Sequence, residues 1–93
     1  MDPDKIVRLR ETIDELDNSL LDSLSARFQL MPSILAYKQA KGLSIADEKR
    51  EERIIAKMRE KAAELGMNPR FIEQLFLLII AESKRIQEGL LKK

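Results

Sequence analysis

Apolar residues fall at Ile6, Leu9, Ile13, Leu16, Leu20 and Leu24, then at Met31 and Ile34, a three-four spacing that marks one face of a helix. Asp2 can cap this helix, Pro3 suits its first turn, and Gly42 follows its basic end, so the pattern predicts a first helix from Pro3 to Lys41. Pro32 falls inside it and should kink it, because proline lacks the backbone N–H and its ring crowds the preceding turn. A second helix should begin near Ala46 or Asp47, with Ser44 and Asp47 spaced like a capping box, and should end at Gly66. Asn68 and Pro69 open a third helix whose apolar positions run through Phe71, Ile72, Leu75, Phe76, Ile79 and Ile80 towards Leu90. Three Gly and three Pro among 93 residues, with few aromatics and much Leu, Ile, Ala, Glu, Lys and Arg, favour helices and give strands little support. The expected fold is all-α: a single domain over residues 1–93 with one very long helix and two shorter ones.

A continuous first helix of about 39 residues would extend about 60 Å, further than the other two helices can cover. The rest of its apolar stripe requires a second chain, and two long helices packed against each other in an intertwined homodimer bury it most simply.

Several polar residues interrupt the apolar stripes. Arg27 stands seven positions after Leu20 and Lys38 four after Ile34, where the seam calls for Leu, and Arg10 lies at its margin. Glu51 leads the stripe of Ile55, Met58, Ala62 and Leu65 on the second helix, with Asp47 one turn earlier. Ser83 sits centrally, and Gln87 near one edge, on the stripe of Ile72, Phe76, Ile79 and Leu90. Singly, each has a bland explanation. Long cations snorkel, a helical serine returns its hydroxyl to the carbonyl one turn back, a glutamine near a helix end is solvated, and the charge run from Asp47 to Arg53 is a solvated face. Jointly they point to a polar pocket. Its cations, carboxylate, hydroxyl and amide suit a small polyanion that also carries a hydroxyl.

Charge and composition narrow the chemistry. The 17 basic and 16 acidic residues are interleaved, so no broad cationic surface for nucleic acid is expected. With no Cys and no His, thiolate nucleophiles, Cys/His zinc sites and imidazole catalysis are excluded. No apolar run reaches the roughly 20 residues of a membrane span, and the polar N-terminus does not read as a signal peptide, so a soluble, cytoplasmic protein is expected. Along one uninterrupted helix Arg27 and Lys38 would lie about 16 Å apart and Arg10 and Arg27 about 25 Å apart. Arg27 and Lys38 can then reach one small molecule, and Arg10 can join them only from an antiparallel partner.

The stretches Leu9-Arg10-Glu11 with Ile13 and Leu16-Asp17, Ala26-Arg27, Tyr37-Lys38, Asp47 with Arg50-Glu51, and Ile79-Ile80 with Ser83 and Gln87 resemble the all-helical chorismate mutase family over nearly the whole chain. That resemblance implies the unimolecular Claisen rearrangement of chorismate to prephenate, the step leading to phenylalanine and tyrosine, with no metal or cofactor. It also implies roles. Arg27 and a partner's Arg10 bind the substrate carboxylates, and Lys38 reaches a carboxylate and the ether oxygen, to which Gln87 donates as well. Glu51 accepts from the ring hydroxyl beside the Asp47 backbone, Arg50 helps order that end, and Ser83 meets a carboxylate. Two other functions suit the same scaffold: an isochorismate-pyruvate lyase, and a non-catalytic dimerisation or regulatory module. Glu51 argues against the lyase, whose pattern has an apolar residue there, and retention of every matched side chain argues against the module.

Overall fold

The computed structural model describes residues 2–93. Its helices are α1 (Pro3–Gln29), α2 (Met31–Ala40), α3 (Glu48–Glu64) and α4 (Pro69–Leu91), and no strand occurs among the described residues. The chain divides into two units, one through Leu30 and the other Met31–Lys93.

The long first helical segment is thus present in two pieces. At Leu30 the backbone N–H turns to the Arg27 carbonyl, 3.2 Å away, in a tighter turn, and α2 then opens with Pro32 in its first turn. Pro32 has no N–H to offer the Phe28 carbonyl, which is the physical reason for the division. Arg27 and Lys38 therefore stand on different helices, not on the one continuous helix expected.

The first unit is α1. Asp2 caps it by accepting the Asp4 N–H at 2.9 Å, with Pro3 in the first turn. None of its residues is buried, and the seam residues Leu9, Ile13, Leu16 and Leu20 are 49–63% exposed in the single chain.

In the second unit α4 packs against both α3 and α2. The core consists of Met31, Leu35, Ala62, Ile72 and Ile80, with Ser83 and Gln87 buried among them in sequence positions that continue the α4 stripe. Asn68 accepts the Arg70 N–H at 3.0 Å, and Pro69 begins α4. Gly42 and Gly66 adopt φ of 66° and 74°, which a side chain would disfavour. Each ends a helix in the same manner. Leu43 N–H bonds the Lys38 carbonyl and Met67 N–H the Ala62 carbonyl, both at 2.8 Å, so the chain doubles back over the helix end. No helix among the described residues is long and apolar enough to cross a membrane.

Candidate active site

The turn at Gly42 determines what Lys38 meets. Since the chain folds back at Leu43, the Ile45 carbonyl comes within 2.5 Å of the half-buried Lys38 ammonium. An ammonium has three N–H groups, so two remain for a ligand. Lys38 also lines an open cavity of about 390 Å³ with Leu43, Ser44, Ala46, Asp47, Glu48 and Lys49.

Asp47 and Glu51 build the start of α3 between them. Asp47 accepts the Arg50 N–H at 3.1 Å, and Glu51 Oε2 accepts the Asp47 N–H at 3.2 Å. This reciprocal cap replaces the expected box of Ser44 with Asp47. Ser44 instead donates to the Ala46 carbonyl at 2.8 Å, because the helix starts one residue after Asp47 and places Ser44 outside reach of its first turn. Arg50 contributes this backbone N–H, and its side chain is exposed.

The other Glu51 oxygen, Oε1, accepts from Lys84 Nζ at 2.9 Å, across the α3–α4 contact. The two side chains are 23% and 34% exposed, so the pair is only partly screened by water. Lys84 was not among the residues singled out by pattern. It is 33 positions from Glu51, and no local spacing signals such a pairing.

On α4, Ser83 and Gln87 form a buried polar step. The Ser83 hydroxyl donates to the Ile79 carbonyl at 3.0 Å, the bond a helical serine makes by default, and to meet a carboxylate as a donor it must leave that bond. Gln87 is 3% exposed. Its Nε2 donates to the Ser83 carbonyl at 3.3 Å and to Met31 Sδ at 3.5 Å, while its Oε1 is buried without a partner. A thioether is a weak acceptor, so the Met31 bond is the one a ligand oxygen can displace at least cost.

The two arginines lie on α1, in the other unit. Arg10 is exposed and forms no ion pair among the described residues. Arg27 is half-buried, with its Nε buried and unpartnered. A guanidinium N–H withdrawn from water and left unpaired is costly, and an anion would satisfy it.

The structure thus brings Lys38 and Asp47 to one cavity, joins Glu51 to Asp47, and stacks Ser83 with Gln87. One further ion pair alters titration on α4: Arg85, hydrogen-bonded to Glu82 at 2.6 Å, holds the Glu82 carboxyl below the usual carboxylate range, and Glu82 raises Arg85 in return. Both groups are exposed parts of the surface, separate from the hydrogen bonds described above.

Residues 9–88 match the family model described as chorismate mutase type II. The chain is 34% identical over 79 residues to the T-protein of Enterobacter agglomerans, covering 85% of this chain and 21% of that protein. It is 27% identical over 90 residues to the chorismate mutase of Methanocaldococcus jannaschii, covering 97% of this chain and 91% of the relative. It is also 30% identical over 84 residues to the 4-amino-4-deoxychorismate mutase of Streptomyces venezuelae, covering 90% of this chain and 82% of the relative. The chain therefore spans about a fifth of the T-protein and most of the other two.

Proposed function

The chain belongs to the chorismate mutase type II family, and from that premise we propose that it converts chorismate to prephenate at a site completed by a second copy of the chain. The observation that carries this reading is the cluster around the 390 Å³ cavity. Lys38 is held there by the Ile45 carbonyl with N–H groups to spare, and Glu51 is fixed at the adjoining helix start.

The rearrangement is internal to one molecule: a C–O ether bond breaks as a C–C bond forms, and nothing is gained or lost. The protein's task is to hold the dicarboxylate folded and to stabilise charge growing on the ether oxygen. Lys38 donates to that oxygen and to a carboxylate, and Gln87 gives up its weak bond to Met31 to donate as well. Arg27 offers its unpaired Nε to a carboxylate. Glu51 retains lone pairs after receiving Asp47 N–H and Lys84, and accepts the ring hydroxyl beside the Asp47 backbone. Arg50 orders the start of α3 through its N–H to Asp47, and Ser83 turns from Ile79 towards a carboxylate.

The exposed seam of Leu9, Ile13, Leu16 and Leu20 is the support for a homodimer, since a contiguous apolar stripe of this size calls for a partner surface. In that arrangement Arg10 reaches the partner's site. A cytoplasmic location belongs to the same reading. A second substrate reading rests on the Streptomyces relative: 4-amino-4-deoxychorismate carries an amine where chorismate carries the ring hydroxyl, and Glu51 is the group that would face either.

Incubating the protein with chorismate and with isochorismate and identifying the products tests this reading. Prephenate from chorismate is expected. Pyruvate from isochorismate would replace the reading with a lyase, and no turnover of either would leave a non-catalytic module.

A further inference from the structure

Glu51 alone would prefer an ammonium to a hydroxyl, because a carboxylate binds a cation more strongly than a neutral donor. In this chain it is not alone. Lys84 Nζ sits 2.9 Å from Glu51 Oε1, and Asp47 N–H occupies Oε2, so the carboxylate's charge is already balanced by one cation from α4. The neighbouring carboxylate, Asp47, is turned to the Arg50 N–H at the start of α3. A ligand group bonded to Glu51 would lie on the order of 4–6 Å from the Lys84 ammonium, given ordinary hydrogen-bond lengths on one carboxylate. At that distance a neutral hydroxyl is tolerated, and a second ammonium is repelled in a site that water only partly screens.

We propose that Lys84 is a specificity-determining residue, which by neutralising Glu51 makes the site select a substrate with a hydroxyl, rather than an amine, on the ring carbon facing Glu51. The inference rests on the reading of Glu51 as the acceptor of that ring group. An amine of this kind is an ammonium ion near neutral pH. The charge is therefore the property on which the two substrates differ most. Lys84 contacts Glu51, and in this proposal it acts through that carboxylate, on the choice of substrate and not on the bond changes.

The experiment measures kcat/KM for chorismate and for 4-amino-4-deoxychorismate with the unaltered protein and with Lys84→Gln, Lys84→Met and Lys84→Arg, each checked for helical content and oligomeric state. Gln keeps a donor for Glu51 and removes the charge, and Met removes both. The unaltered protein should favour chorismate. The preference should fall by at least about tenfold in the Gln and Met variants and stay within about threefold in the Arg variant. A merely structural role for Lys84 would lower both activities together and leave their ratio unmoved. An unchanged ratio in whichever of the Gln and Met variants folds, or a preference for the amine in the unaltered protein, overturns the proposal while the mutase reading stands. Failure of the unaltered protein to convert either substrate overturns that reading, and the proposal with it.

Discussion

Replacing Leu16 by alanine tests whether the α1 seam is an interface between copies. Leu16 is 63% exposed in the single chain. Burying a leucine fully is worth about 1.5–3 kcal/mol, so about two-thirds of that, roughly 1–2 kcal/mol per chain, is still to be gained on association. A two-fold dimer contains the substitution twice, which makes the expected loss about 2–4 kcal/mol per dimer. At 1.4 kcal/mol per tenfold change, the dissociation constant should rise about 30- to 700-fold. Alanine is the best helix former, so α1 itself should not be weakened by the change. Sedimentation equilibrium across a dilution series gives the constant, and specific activity measured over the same series should fall as the dimer dissociates. The reasoning is refuted if the constant does not move, or if the unaltered protein sediments as a monomer at concentrations where it is fully active.

Lys38→Ala should lower kcat by about 100- to 1,000-fold with helical content and mass unchanged, since the lost donor acts chiefly in the transition state; unaltered steady-state kinetics would remove Lys38 from the site. Arg10→Ala and Arg27→Ala chains should each be inactive alone, and mixing them should restore activity in heterodimers with one intact site. No recovery, once subunit exchange has been verified by mass, counts against a shared site. Gln87→Glu should shift the pH optimum downward, because the new carboxyl donates only when protonated and loses that capacity as pH rises through its titration. Burial at a position only 3% exposed raises that carboxyl, and a pH–rate profile that overlays the original would contradict the role given to Gln87.

Much of the architecture was legible because it depends on near neighbours. Asp2, Asn68, Pro3, Pro69, Gly42 and Gly66 act within one helical turn of themselves, and their capping and stopping roles appear where their spacing indicates. Pro32 announced a disturbance in the long helical segment, and the division at Leu30 lies two residues before it. Ser44 misled for a related reason. Its spacing suited a cap, but two carboxylates within reach of the α3 start, Asp47 and Glu51, satisfied those N–H groups and left the serine hydroxyl to the Ala46 carbonyl. Of the site, Ser83 and Gln87 were visible as polar breaks in an apolar stripe, and both are buried. Their bonds to Ile79, Ser83 and Met31 were not visible, because a periodicity assigns a face and not a partner.

The all-helical class, the helix ends marked by Asp2, Asn68, Gly42 and Gly66, the apolar seam of α1 and the set of polar residues that interrupt the apolar stripes were determined by the sequence alone, through the turn-by-turn stereochemistry of capping, proline and helical period. Tertiary structure decided that the Ile45 carbonyl meets Lys38, that Gln87 touches Met31 56 positions away, and that Lys84 balances Glu51 from another helix 33 positions away. Such contacts form only when folding brings distant segments together, so the charge environment of Glu51 is a property of the packed helices and not of either sequence segment.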